Sequence, residues 1–152
     1  MDTIEVILPA REGPMYVLVV AERRWREETR VAFGGLRDED GVEPDFEFAD
    51  DGRAALDLAH GETPDLVVIQ VGVGPFGAFG LCRELKSDPD ISCPVLLLLE
   101  REQDEWLARR FGADAWVARP WHAWEMERVA VRLTQDRRAE ERETSAAHAD
   151  RS

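Results

Sequence analysis

Three glycines, Gly72, Gly74 and Gly77, stand in the order G-x-G-x-x-G within GVGPFG, and an apolar run from Leu66 to Ile69 leads into them through Gln70. After a strand and at the opening of a helix, such a loop suits a dinucleotide. The glycines let backbone approach a pyrophosphate, and the helix N-terminus favours its charge. Glu100 lies 23 residues beyond Gly77, at the end of the next apolar run, near where a ribose-binding acid is expected. Other chemistry is sparse. Cys82 and Cys93 form no CxxC and sit in apolar contexts, GLCREL and SCPVLL, so they read as reduced core thiols. His60, His122 and His148 are scattered, without metal-ligand spacing. An active centre, if there is one, is therefore expected at Gln70 and the loop after it.

The whole chain must position that loop. With 152 residues and 44% apolar content it suits one domain with a real core. Thirty-two acidic against nineteen basic residues give a net charge of −13, which argues against nucleic acid as a partner. No apolar run approaches the roughly 20 residues that cross a bilayer, so no membrane partner is expected. No basic segment precedes an apolar run near Asp2 and Glu5, so the reading is no secretory leader and a cytoplasmic location.

Apolar runs and helical spacings alternate along the chain. Residues 1–15 read as an N-terminal extension, broken at Pro9 and at Gly13-Pro14. Tyr16 to Val20 (YVLVV) is a buried strand. Glu22 to Leu36 follows as a helix, with Trp25, Thr29, Ala32, Phe33 and Leu36 on one face. Asp45 to Ala49 alternates as a half-exposed strand, and Asp50, Asp51 and Gly52 cap a short helix ended by Gly61. The central strand at Leu66 comes next, then a helix bearing Phe79, Leu81, Cys82 and Leu85. PVLLLL is another buried strand, and a helix marked by Trp106, Leu107 and Phe111 closes at Gly112. Ala115 to Ala118 is a last short strand, and the final helix carries Met126, Val129, Ala130 and Leu133. The domain is placed at 16–138, and residues 139–152 are expected to be a charged, unstructured tail. Five β-then-α units predict an α/β fold, a parallel five-stranded sheet doubly wound with helices on both faces.

Four blocks carry a more specific resemblance than the glycines do. YVLVVAE, ADDGRAALDLAHGETPDLVVIQV, CRELKSDPDISCPVLLLLE and FGADAWVARPW, in that order and spacing, resemble the receiver domain of two-component response regulators. The resemblance covers Tyr16 to about Thr134 and implies the (βα)5 flavodoxin-like receiver fold. Two features weigh against the dinucleotide reading. The fingerprint normally sits on a first strand, and no room remains after Glu100 for a second nucleotide-binding half.

The resemblance also implies a degenerate phosphoacceptor pocket at Ala21, Glu22, Gln70, Gly72, Leu99 and Arg119. The family's pair of magnesium-binding acids falls on Ala21 and Glu22, so one carboxylate is missing. The phosphoacceptor aspartate falls on Gln70, whose amide cannot form an acyl phosphate. The threonine or serine that binds the phosphoryl group falls on Leu99, the lysine on Arg119, and a proline of the loop on Gly74. Asp50, Asp51 and Asp65 are read as lying at other ends of their elements. No magnesium or other cofactor is expected. Arg119 is expected to pair with Glu22, directly or through water, with Gln70 beside them.

The switch aromatic of the family matches Trp116, and Trp106, Trp121 and Trp124 lie nearby in sequence. Trp116 and Trp121 read as packing residues. Trp124 and Val131, seven residues apart and off the Met126–Ala130–Leu133 stripe, read as an outer-face contact pair. The expected function is a stand-alone atypical receiver, not an enzyme. It would act without phosphorylation and bind a protein partner or a second copy through its last two helices. The alternative is a small nucleotide- or ligand-binding α/β domain using GVGPFG, or a ligand sensor in the pocket at Ala21, Gln70 and Gly72.

Overall fold

The computed structural model describes residues 13–72 and 75–150, the side chains of 75, 76, 141, 142 and 144–150 excepted. The first half of the chain runs β1 (Tyr16–Val20), α1 (Arg23–Ala32), β2 (Asp45–Ala49), α2 (Gly52–Gly61) and β3 (Leu66–Gln70). The second runs α3 (Pro75–Ser87), β4 (Val95–Leu99), a 3-10 turn (Glu102–Asp104), α4 (Glu105–Arg110), β5 (Ala115–Ala118) and α5 (Ala123–Asp150). All strand pairs are parallel, in the order β2-β1-β3-β4-β5. This is the doubly wound arrangement that the alternation of elements predicts.

The composition of each strand follows from its place. β1, β3 and β4 are buried along their whole length, because helices cover both faces of a parallel sheet. The edge strand β2 alternates, with Phe46 and Phe48 half-buried and Asp45 and Glu47 exposed. Successive side chains point to opposite faces, and this divides the core in two. Leu18, Val67, Ile69, Leu97 and Leu99 pack with Ala55 and Ala59 of α2, Phe79, Cys82 and Leu85 of α3, and Ala108 of α4. Val17, Val19, Val68, Leu96 and Leu98 pack with Ala32 of α1 and with Met126, Ala130 and Leu133 of α5.

Local signals act where they are expected. Asp51 Oδ1 accepts the Ala54 N–H at 2.9 Å and caps α2, and Gly112, at φ +85°, takes the left-handed turn that closes α4. Helix α1 ends at Ala32 instead of Leu36; the chain turns through Gly34 and Gly35, yet Phe33 and Leu36 stay buried.

Two expected boundaries change. Met15 belongs to the domain: it is buried in the α1–α5 layer, and its carbonyl accepts the Asp45 N–H at 2.8 Å. Of the rest of the expected extension, residues 1–12 lie outside the described residues. The expected unstructured tail is helical as far as Asp150, because α5 contains no glycine or proline and is rich in alanine, glutamate and arginine.

Candidate functional site

In an all-parallel sheet, every segment that leaves a strand emerges on the same edge. Ala21 and Glu22, Asp50 and Asp51, Gln70 to Gly72, Glu100 and Arg119 therefore share the carboxyl edge. The expectation for Asp50 and Asp51 was mistaken, since both follow β2 and line the same hollow as Glu22 and Gln70. Asp65, which precedes β3, does lie at the other edge. Asp50 pairs with Arg26, and Asp51 is occupied as the α2 cap.

The hollow encloses about 290 Å3, and Ala21, Glu22, Gln70 and Gly72 of the expected pocket line it. Leu99 and Arg119 do not. Leu99 is fully buried in the α2–α3–α4 layer, where a hydroxyl-bearing residue would be needed to reach a ligand.

The expected Glu22–Arg119 pair is not formed. Glu22 Oε2 lies 3.1 Å from Arg24 Nε, and its Oε1 overhangs Gly72, where an added Cβ would sit 2.4 Å from that oxygen. Arg119 Nε instead donates to Glu100 Oε2 at 2.8 Å. Its Nη1 and Nη2 donate to the two oxygens of Glu28 at 2.9 and 3.4 Å. Its guanidinium is held between the rings of Trp121 and Trp25, 3.7 and 4.8 Å from their centroids. Trp25 and Glu28 are three residues apart on α1, so one helix face supplies both contacts. Burial lowers the affinity of Arg119 for its proton, but the hydrogen bonds to Glu28 and Glu100 outweigh this and leave it raised. The cis bond from Arg119 to Pro120 and the Trp121 Nε1–H···O=C bond to Leu99, 3.0 Å, complete the turn.

Gln70 is 5% exposed, and its Nε2 donates to Glu100 Oε1 at 3.3 Å. The opposite amide orientation would set oxygen against carboxylate. Among the described residues, Gln70 Oε1 is buried without a hydrogen-bond partner. The donor set is poor for magnesium, which the resemblance implies at this edge. Its carboxylates are already engaged, Glu22 by Arg24, Asp50 by Arg26 and Asp51 as the α2 cap, the central strand adds only a carboxamide, and among the described residues no group of three His, Cys, Asp or Glu side chains is placed to hold a metal. The residues present do not fit the ion.

The glycine loop is likewise unsuited to pyrophosphate. The Glu22 carboxylate lies over Gly72, where a pyrophosphate would need bare backbone; Gly77 is in the first turn of α3, and Gly74 falls outside the described residues. Both thiols are buried and free. Burial pushes Cys82 up to about 12 and Cys93 up to about 11.

The tryptophans divide. Trp116 is half-buried against the α2–α3–α4 layer with Arg109 over its ring, and Trp121 packs on the α1–α5 layer. Trp106 and Trp124 are 62% and 61% exposed. Trp106 lines a hollow of about 520 Å3 with Val71, Glu100 and Leu107. Trp124 stacks on His122, with Arg128 over its ring. Val131 does not join it on an outer face; it packs into the α1–α5 layer. The turn after α1 covers that side of α5 from Glu127, which accepts the Gly35 N–H, and Trp124 precedes this contact. The sequence reading missed Glu28, and gave Glu100 a role only in the disfavoured dinucleotide alternative, as a ribose-binding acid. The signal for Glu28 was its i+3 spacing from Trp25.

The sequence matches no family model. It is 33% identical over 112 residues to the response regulator MprA of Mycolicibacterium vanbaalenii, a match covering 70% of this chain and 45% of that protein. It is 33% identical over 89 residues to the probable transcriptional regulator ycf27 of Guillardia theta, covering 57% of this chain and 35% of that one. The chain thus spans less than half the length of these curated relatives. Among solved structures, the signal receiver domain of a histidine kinase from Syntrophus aciditrophicus superposes with a TM-score of 0.66 at 25% identity, covering 80% of this chain and 91% of that one. Kinship to response regulators and the strand order agree: this chain carries a receiver domain of the two-component response-regulator family.

Proposed function

We propose that this receiver domain works without phosphoryl transfer, as a contact module whose state is set by its own side chains. One observation carries the reading. At the carboxyl end of the central strand, where a receiver needs a nucleophilic carboxylate, Gln70 presents an amide whose nitrogen is engaged by Glu100. The magnesium donors are depleted beside it, so the domain takes no magnesium and is not an enzyme. It acts in the cytoplasm and docks a protein partner or a second copy through α4 and α5, where Trp106 and Trp124 stand exposed. The charge of −13 disfavours direct binding to nucleic acid.

Acetyl phosphate with magnesium, or beryllofluoride, tests this directly. Intact-mass spectrometry is expected to show no adduct, and light scattering no change of oligomeric state. A phosphoryl mass shift labile to hydroxylamine overturns the reading.

A further inference from the structure

We propose that Glu100 is a resident anionic ligand, covering a latent anion site built by Gln70 and Arg119. The inference rests on the phosphorylation-independent reading and adds what holds the pocket in place of a transferred group.

The geometry is that of a bound oxyanion. Strand β4 lies between β3 and β5, and Glu100 is the first residue past it. Each oxygen of its carboxylate is taken by a neighbouring strand's exit: Oε1 by Gln70 Nε2 at 3.3 Å, Oε2 by Arg119 Nε at 2.8 Å. Both donors are anchored independently of Glu100. Gln70 is almost fully buried at the end of β3. Arg119 is clamped between Trp25 and Trp121 and forked to Glu28. The donors therefore stay in place when the carboxylate is removed, which is what makes the position a site and not a chance surface pair. Glu100 itself is a surface side chain, 38% exposed, and contributes no core packing.

The ligand class follows from the donors. One carboxamide N–H and one guanidinium N–H, both turned to the same group, suit a small oxyanion such as inorganic phosphate or acetate. Glu28 remains as a counter-charge on Arg119, so binding to the vacated site is weak, with millimolar affinity expected. Tethering to the chain gives Glu100 a high effective concentration, and free anions at cellular levels do not displace it. The same carboxylate joins the β3, β4 and β5 exits. The loops leading into α4 and α5 are thereby held in one arrangement, whatever the supply of phosphoryl donors.

The test is a titration of Glu100→Ala with sodium phosphate and with sodium acetate at constant ionic strength. It is read by tryptophan fluorescence, since Trp25 and Trp121 enclose Arg119, and by melting temperature. Glu100→Ser is run in parallel, so that one well-folded variant is available. The variants are expected to show saturable responses in the millimolar range that the unaltered protein lacks and that Glu100→Ala/Arg119→Ala abolishes. No saturable response in either variant overturns the proposal, as does an equal response in the unaltered protein or in the double variant. A silent Glu100→Ala leaves the functional reading intact, whereas a phosphoryl adduct on the unaltered protein removes that reading whatever Glu100 does.

Discussion

The two edges of the sheet use charge in opposite ways. At the amino edge, ionic groups tie elements together, and one pair is enclosed. Asp65, 1% exposed, accepts the Tyr16 N–H at 2.8 Å and Arg137 Nη1 at 3.1 Å, and the same nitrogen donates to the Pro64 carbonyl. Asp114 similarly joins Lys86 of α3 to the Val95 N–H of β4. At the carboxyl edge, ion pairs are open to water: Glu22–Arg24, Arg119–Glu28 and Arg119–Glu100 all include side chains exposed by more than a third. There a buried amide oxygen, Gln70 Oε1, has no hydrogen-bond partner among the described residues. The enclosed Asp65–Arg137 pair fastens α5 to the sheet. Open, mismatched charge is what a site that meets ligands or partners retains.

This contrast can be broken most forcefully at Asp65. Removing one partner of an enclosed pair leaves the other uncompensated, so Asp65→Ala is expected to cost about 3 kcal/mol in urea unfolding. Glu28→Ala, at the open edge, is expected to cost less than about 1 kcal/mol. Equal losses would show that the two edges do not differ in kind.

Alkali sharpens the contrast next. Cys93 precedes β4 at the closed edge, and Cys82 lies in α3; burial raises both above the ordinary 9.0, to about 11 and about 12. Folding favours the neutral thiols. Their contribution is complete below pH 9 and is lost as pH rises through 11 to 12. The urea midpoint is expected to fall over that window, and less so in Cys82→Ala/Cys93→Ala. An unchanged slope in the double variant would place the loss elsewhere.

The smallest effect on stability is expected at Trp124, which is 61% exposed. Trp124→Ala is expected to change stability by no more than about 0.5 kcal/mol and to abolish dimerisation or partner capture in light scattering and pull-down. Retention of both moves the contact surface away from the start of α5.

The layered fold was legible because burial on both faces forces continuous apolar strands, and YVLVV, LVVIQ and VLLLL declare it without neighbours. Gln70 at a strand's carboxyl end and the burial of Met126, Ala130 and Leu133 were equally local facts. What the linear pattern could not decide was pairing between exits. Glu22, Glu28 and Glu100 are all carboxylates on loops or helix faces at the carboxyl edge, and no spacing along the chain ranks them as partners of Arg119. The choice was made by the indole clamp of Trp25 and Trp121, which aims the guanidinium at two of them, and by Arg24, which holds the third. Val131 was decided in the same way: the helical period sets its direction, but only the turn after α1 makes that direction an interior. Periodicity is a property of one element, whereas partnership and burial belong to two. The sequence by itself determined the order of the elements, their layering and the amide at the end of the central strand; the tertiary structure decided which acids answer Arg119, because a charge pairs with what folding brings within reach.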